Sequence, residues 1–102
     1  MTDAVKYRRE FSRWIILMTL NNSRPLGVSE TIVLTVVRAE FPDMSRDELR
    51  RELDYLRDRG LATIKQPPDG SAWHCDLTRY GIDIAEYTVD VAPGIARPEK
   101  YW

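Results

Sequence analysis

Three observations in this 102-residue sequence predict a mainly α fold that carries a small β-hairpin. Apolar residues recur at helical spacing over 3–20 and again over 46–59. Between Leu61 and Leu77 that period gives way to short extended runs around the turn residues "PPDG". Helix start and stop signals stand at the junctions, at Ser29, Ser45, Gly60 and Thr78. A chain of this length buries roughly 65% of the surface its unfolded form exposes, so one domain around one modest core is expected.

Composition narrows the function classes. Hydrophobic residues make up 43% and charged residues 30%, the balance of a soluble globular protein. The longest apolar run, "WIILMTL", falls short of the ~18 residues a membrane span needs. No basic start, apolar stretch and small-residue cleavage site follow one another, so a cytoplasmic location and no membrane partner are expected. With one cysteine, Cys75, and one histidine, His74, neither a disulfide framework nor a cysteine-based zinc site can form. The net charge of −1 falls short of the basic balance of a strong nucleic-acid binder. The first 24 residues form a local exception, with Lys6, Arg8, Arg9, Arg13 and Arg24 against Asp3 and Glu10.

The elements follow in order. Phe11, Trp14, Ile15 and Met18 stand at i, i+3, i+4, i+7 and define one face of a first helix over 3–20, widened by Leu17 and Leu20. Lys6, Arg9 and Arg13 fall opposite that stripe, as a solvated basic ridge. "NNSRPLG" breaks the helix and leaves a short extended piece before Ser29. Ser29 then suits an N-cap for "ETIVLTVVRAEF", whose β-branched residues favour a strand. Its length, its cap and the stop at Pro42 favour a helix, with Val33, Val37 and Phe41 as its seam. For the third helix, over 46–59, Ser45 and Glu48 match the S-x-x-E capping box and Met44 and Leu49 a hydrophobic staple. Gly60 and Leu61 match a Schellman ending, and Leu49, Leu53 and Leu56 form a narrow apolar stripe. A hairpin follows, in which Trp73, Cys75 and Leu77 alternate with His74 and Asp76. Thr78 caps a last helix, "RYGIDIAEY". The tail over 88–102 lacks periodicity yet keeps Val89, Val91, Ile95, Tyr101 and Trp102, so it is expected to pack on residues 1–87 or on a second copy.

Two helices joined by the short link "PDM" and followed at once by a hairpin give the layout of a winged helix-turn-helix. "RDRGLATIK" resembles the way such domains leave the recognition helix, and "LTRYG" the way they leave the wing. The runs "SRDELRRELDYLRDRGL" and "LTRYGIDIAEYTVDVAPGIARPEKYW" resemble a family of small winged-helix, ArsR-like proteins of Mu-like phages and prophages. The resemblance covers nearly the whole chain and is most specific at L-T-x-x-G-x-D-x-A and at the closing P-G-I-x-R-P. ArsR-like metal sensing is not expected, because His74 and Cys75 are adjacent on a strand and point to opposite faces.

For function, the layout points to duplex DNA as the partner, with Arg46, Arg50, Arg51, Arg57 and Lys65 as the contacting residues. Arg50 and Arg51 lie near the N-terminal half of the recognition helix, where an arginine fork can pair with guanine O6 and N7. Against this, five acids cancel five arginines over 46–59, and Asp47 with Arg51 and Arg50 with Asp54 stand at the i, i+4 spacing of surface pairs. The competing function is a protein-interaction module that docks a phage or host protein. A homodimer is expected, with Phe11, Trp14, Ile84, Tyr87, Ile95 and Trp102 as the interface candidates. No phosphate loop, paired-carboxylate frame or metal cluster stands in the sequence, so neither catalysis nor a cofactor is expected.

Overall fold

The structure is a computed structural model, and it describes residues 3–100. The chain runs α1 (Asp3–Asn22), β1 (Val28–Ser29), α2 (Glu30–Arg38), α3 (Arg46–Asp58), β2 (Ala62–Lys65), β3 (His74–Leu77) and α4 (Arg79–Ala85). The short extended piece before Ser29 is a strand in its own right. It pairs antiparallel with β3, Val28 opposite Cys75, so the predicted hairpin is part of a three-stranded sheet in the order β1-β3-β2. The hairpin pairs Ala62 with Leu77 and Lys65 with His74, and its loop spans 66–73. This is the winged-helix arrangement, with α2 and α3 as the helix pair and β2–β3 as the wing.

The ambiguous second segment is a helix. Ser29 caps it by accepting the Thr31 N–H at 3.2 Å, and Val33 and Val37 are completely buried. In α3 the leucine stripe is buried to 0% exposure at Leu49, Leu53 and Leu56, and Met44 joins it in the core. Each such side chain contributes about 1.5–3 kcal/mol relative to an exposed one. The C-terminus of α3 is a Schellman motif: Leu61 N–H reaches the Leu56 carbonyl at 2.9 Å and Gly60 N–H the Arg57 carbonyl at 2.9 Å. Gly60 takes φ +76° to allow it. Thr78 caps α4 by accepting the Gly81 N–H, and its own hydroxyl donates to the Gly60 carbonyl. The two helix ends are thereby tied together.

Two sequence expectations change. The capping box at Ser45 is half-formed: Ser45 accepts the Glu48 N–H at 3.0 Å, but the Glu48 carboxylate turns to Arg8, at 2.7 Å from its Nε. In α1 the deepest residues are Ile16, Leu17 and Leu20, while Phe11, Ile15 and Met18 are half-buried. The cause is that α1 packs against α2, α3, α4 and β3, so both its sides are covered. Arg13 is consequently no ridge residue. It is 8% exposed, its Nε 2.7 Å from Glu52 and its guanidinium 3.4 Å from the Tyr55 ring centre.

The segment after α4 lies back along the helices. Ala96 N–H donates to the Glu10 carbonyl at 3.1 Å, and Arg13 donates to the Gly94 carbonyl at 2.9 Å. Arg97 donates to the carbonyls of Ile84 and Val89, and Val91 and Ile95 pack against the core.

Candidate nucleic-acid interface

The outward side of α3 and the wing beside it form the candidate site, and its organising group is Glu30. This first residue of α2 has no solvent exposure. Its carboxylate accepts from Arg50 Nε at 2.8 Å and Nη2 at 2.6 Å, and from the Trp73 N–H at 2.6 Å. Arg46 stands 3.4 Å away, and the Glu30 N–H donates to the Trp73 carbonyl at 2.8 Å. The Arg50 guanidinium lies over the Trp73 ring, 4.4 Å from its centre. Burial pushes the Glu30 carboxyl up. The hydrogen bonds from Arg50 and Trp73, with the charges of Arg50 and Arg46, outweigh it and hold Glu30 below the usual carboxylate range. One buried carboxylate thus joins the start of α2, the N-terminal half of α3 and the root of the wing.

Around this joint the expected contact residues divide. Arg50 gives one edge of its guanidinium, Nε and Nη2, to Glu30, and so ties α3 to α2 and the wing. Arg46 is half-exposed and shared between Glu30 and the Thr31 hydroxyl, 3.3 Å away. Arg57 pairs with Asp54 at 2.9 Å and Asp58 at 3.2 Å. Arg51 is exposed and has no hydrogen-bonding or ionic partner among the described residues. Lys65, at the end of β2, is exposed as well. Neither expected i, i+4 pair forms, because Arg50 finds a buried acid on another helix and Asp54 is taken by Arg57.

Sequence reasoning did not single out Glu30. An acid in the first turn of a helix is ordinarily read as a dipole partner, and only the packing of α2 against the wing turns this one inward. Cys75 is buried beneath the same joint; burial first, then the charges of Glu30 and Asp76, push its thiol up to about 12. His74 Nε2 lies 3.1 Å from the Leu26 carbonyl and 3.6 Å from Asp76. Among the described residues no group of three or more His, Cys, Asp or Glu could hold a metal ion, and no helix is long and apolar enough to cross a membrane.

The dimer candidates also divide. Trp14 and Ile84 are 7% and 1% exposed and fill the chain's own core, which removes them from any surface. Phe11, Tyr87 and Ile95 are half-buried. Trp102 lies outside the described residues.

No profile of a known protein family matches the chain, and no curated protein matches it significantly. Two solved structures are similar to it. One is a candidate DNA-binding protein of Ralstonia eutropha JMP134, 22% identical, covering 78% of this chain and 95% of its own, with a TM-score of 0.63. The other is F-93 of SSV1, 25% identical, covering 76% of this chain and 80% of its own, with a TM-score of 0.59. The fold of this chain is therefore that of small winged-helix proteins.

Proposed function

We propose that the protein binds duplex DNA through α3 and the β2–β3 wing, as a homodimeric cytoplasmic regulator or DNA-handling accessory of phage or prophage origin. The observation that carries the reading is Arg51, a partnerless arginine on the outward side of α3, with Arg46 five residues before it on the flank that faces Glu30, and Lys65 on the wing. In this reading Arg51 reads a base edge, Lys65 and Arg46 meet phosphates, and Arg57 contributes less because two carboxylates hold it. Arg50 keeps the helix and wing in register. The structural neighbour named for DNA binding supports the reading, as does the element order.

The test is fluorescence anisotropy of a duplex from the gene's own neighbourhood at two salt concentrations. Arg51→Ala and Lys65→Ala should each weaken binding about 10-fold, equivalent to about 1.4 kcal/mol. A variant that no longer neutralises one phosphate should flatten the slope of log affinity against log salt by ~0.9. Absence of binding near 50 mM salt at tens of micromolar, or identical curves for all three proteins, overturns it.

The second reading, a protein-docking module, is favoured by one specific observation. Ile32 and Val36, one turn apart on α2, are 53% and 41% exposed beside the acid-rich α3. A chain that fails the DNA assay but loses a co-purifying partner on Ile32→Ser supports it. Light scattering at tens of micromolar tests the dimer, with Phe11, Tyr87 and Ile95 as its remaining described candidates. Genes for heads or packaging beside this one would turn the role from transcription towards assembly.

A further inference from the structure

A cavity of about 190 Å³ lies at the C-terminal end of α3, between that end, α4 and the segment after α4. Leu61, Ile84, Val91 and Ile95 give it apolar walls, Tyr55 and Tyr80 flank it, and Arg59 stands at its mouth. The wall made by the segment after α4 is anchored on both sides. Arg97 fixes its start and the end of α4 through the Val89 and Ile84 carbonyls, and the Gly94 and Ala96 main chain is bonded to α1. That wall of the open hollow is thus held in place by bonded structure.

Its chemistry is specific. An apolar cavity of about 150 Å³ is large enough to take up benzene, so this one has room for a single ring and a small substituent. Binding sites for such molecules are mostly apolar with a few fixed polar groups. Here the polar group at the mouth is cationic. Arg8, Arg13, Arg46, Arg50 and Arg57 each have a carboxylate partner. The Arg59 guanidinium lies over the Tyr55 ring, 4.8 Å from its centre, with no carboxylate partner among the described residues. An anion on the ring would complete it with a charge-assisted, two-pronged contact. We infer that this cavity is a binding site for a small aromatic carboxylate, its ring against Tyr80 and the apolar walls of Leu61, Ile84 and Val91 and its carboxylate on Arg59. Such a site stands whether or not α3 meets DNA. Arg59 is the C-cap of α3, so an occupant would touch the end of the recognition helix.

Amide NMR shifts of the full chain, titrated with benzoate, test it. Acetate serves as the charge without the ring, and benzyl alcohol as the ring without the charge. Benzoate should produce saturable shifts at Tyr55, Tyr80 and Val91 with a dissociation constant on the order of 1 mM. Acetate should not saturate, and benzyl alcohol should bind about 10-fold more weakly or worse. Arg59→Gln, a change at an exposed position, should weaken benzoate by a similar factor and leave benzyl alcohol unchanged. No saturation by about 10 mM benzoate, equal affinity for benzoate and benzyl alcohol in the native chain, or an unchanged benzoate curve in Arg59→Gln overturns the proposal.

Discussion

Arg50 Nη2 lies 2.6 Å from Oε2 of Glu30, a carboxylate with no exposure to solvent. An arginine that looks like a free recognition residue in the sequence is therefore the counter-charge of a buried acid. Removing it strands that acid, and breaking a buried pair in this way typically costs about 3–5 kcal/mol. Arg46 at 3.4 Å and the Trp73 N–H remain to Glu30, which brings the expected loss for Arg50→Ala to about 2 kcal/mol. Urea denaturation should show that loss, and the melting temperature should drop by roughly 10 °C. Arg51→Ala, with no partner to lose, should change stability by about 0.5 kcal/mol or less.

The same joint predicts acid sensitivity. Glu30 has its folded pKa below its ordinary value of 4.5. In the window between the two values the unfolded chain binds more protons than the folded one, so stability rises with pH there. Its contribution is fully present above about pH 4.5 and is lost as pH falls through the depressed folded value. Denaturation midpoints measured between pH 3 and 6 should fall on the acid side, and Glu30→Gln should flatten that limb while lowering stability at neutral pH.

Two glycines should respond differently to alanine. Gly60 has φ +76° and open space where a Cβ would stand, so Gly60→Ala pays only for the left-handed backbone, about 1 kcal/mol. In Gly81 a Cβ would collide with the Leu61 carbonyl oxygen and come within 2.7 Å of Leu77 Cδ2. That carbonyl accepts the Thr78 N–H, so α4 would have to shift, at about 2 kcal/mol or more. Urea midpoints of the two variants should rank in that order.

Cys75 should be chemically silent in the folded protein. It has 0% exposure and a thiol pushed up to about 12, which leaves almost no thiolate at neutral pH. A colourimetric thiol reagent should label it only at the rate of unfolding, and fully in denaturant. Fast labelling of the native protein would contradict the burial of β3.

What the sequence disclosed and what it withheld separate by range. Ser29, Ser45, Gly60 and Thr78 act on neighbours within a few positions, so the starts of α2, α3 and α4 and the end of α3 could be read from the sequence, whereas α2 stops at Arg38 and α4 at Ala85, short of the expected Phe41 and Tyr87. The leucine stripe of α3 was equally plain, since its spacing belongs to one helix. Arg13 and Glu30 were opaque because their surroundings come from far along the chain. Arg13 meets Glu52 and Gly94, and Glu30 meets Arg50 and Trp73. A helical wheel knows only its own helix: it placed Arg13 on a solvated ridge and gave no reason to single out Glu30. The face of α1 was misjudged for a related reason: a helix wrapped on both sides has no single apolar stripe to find.

The grip of Glu30 on Trp73 through two main-chain bonds has a mechanical meaning. Helix α3 and the root of the wing are held like the two jaws of a caliper, because the group that sets their spacing is buried and charged. If α3 and the wing meet a duplex as proposed, such a tool would not adapt its span to the groove. The groove has to come to the right width, so sequences whose grooves widen or narrow easily would be favoured even at base pairs no side chain touches.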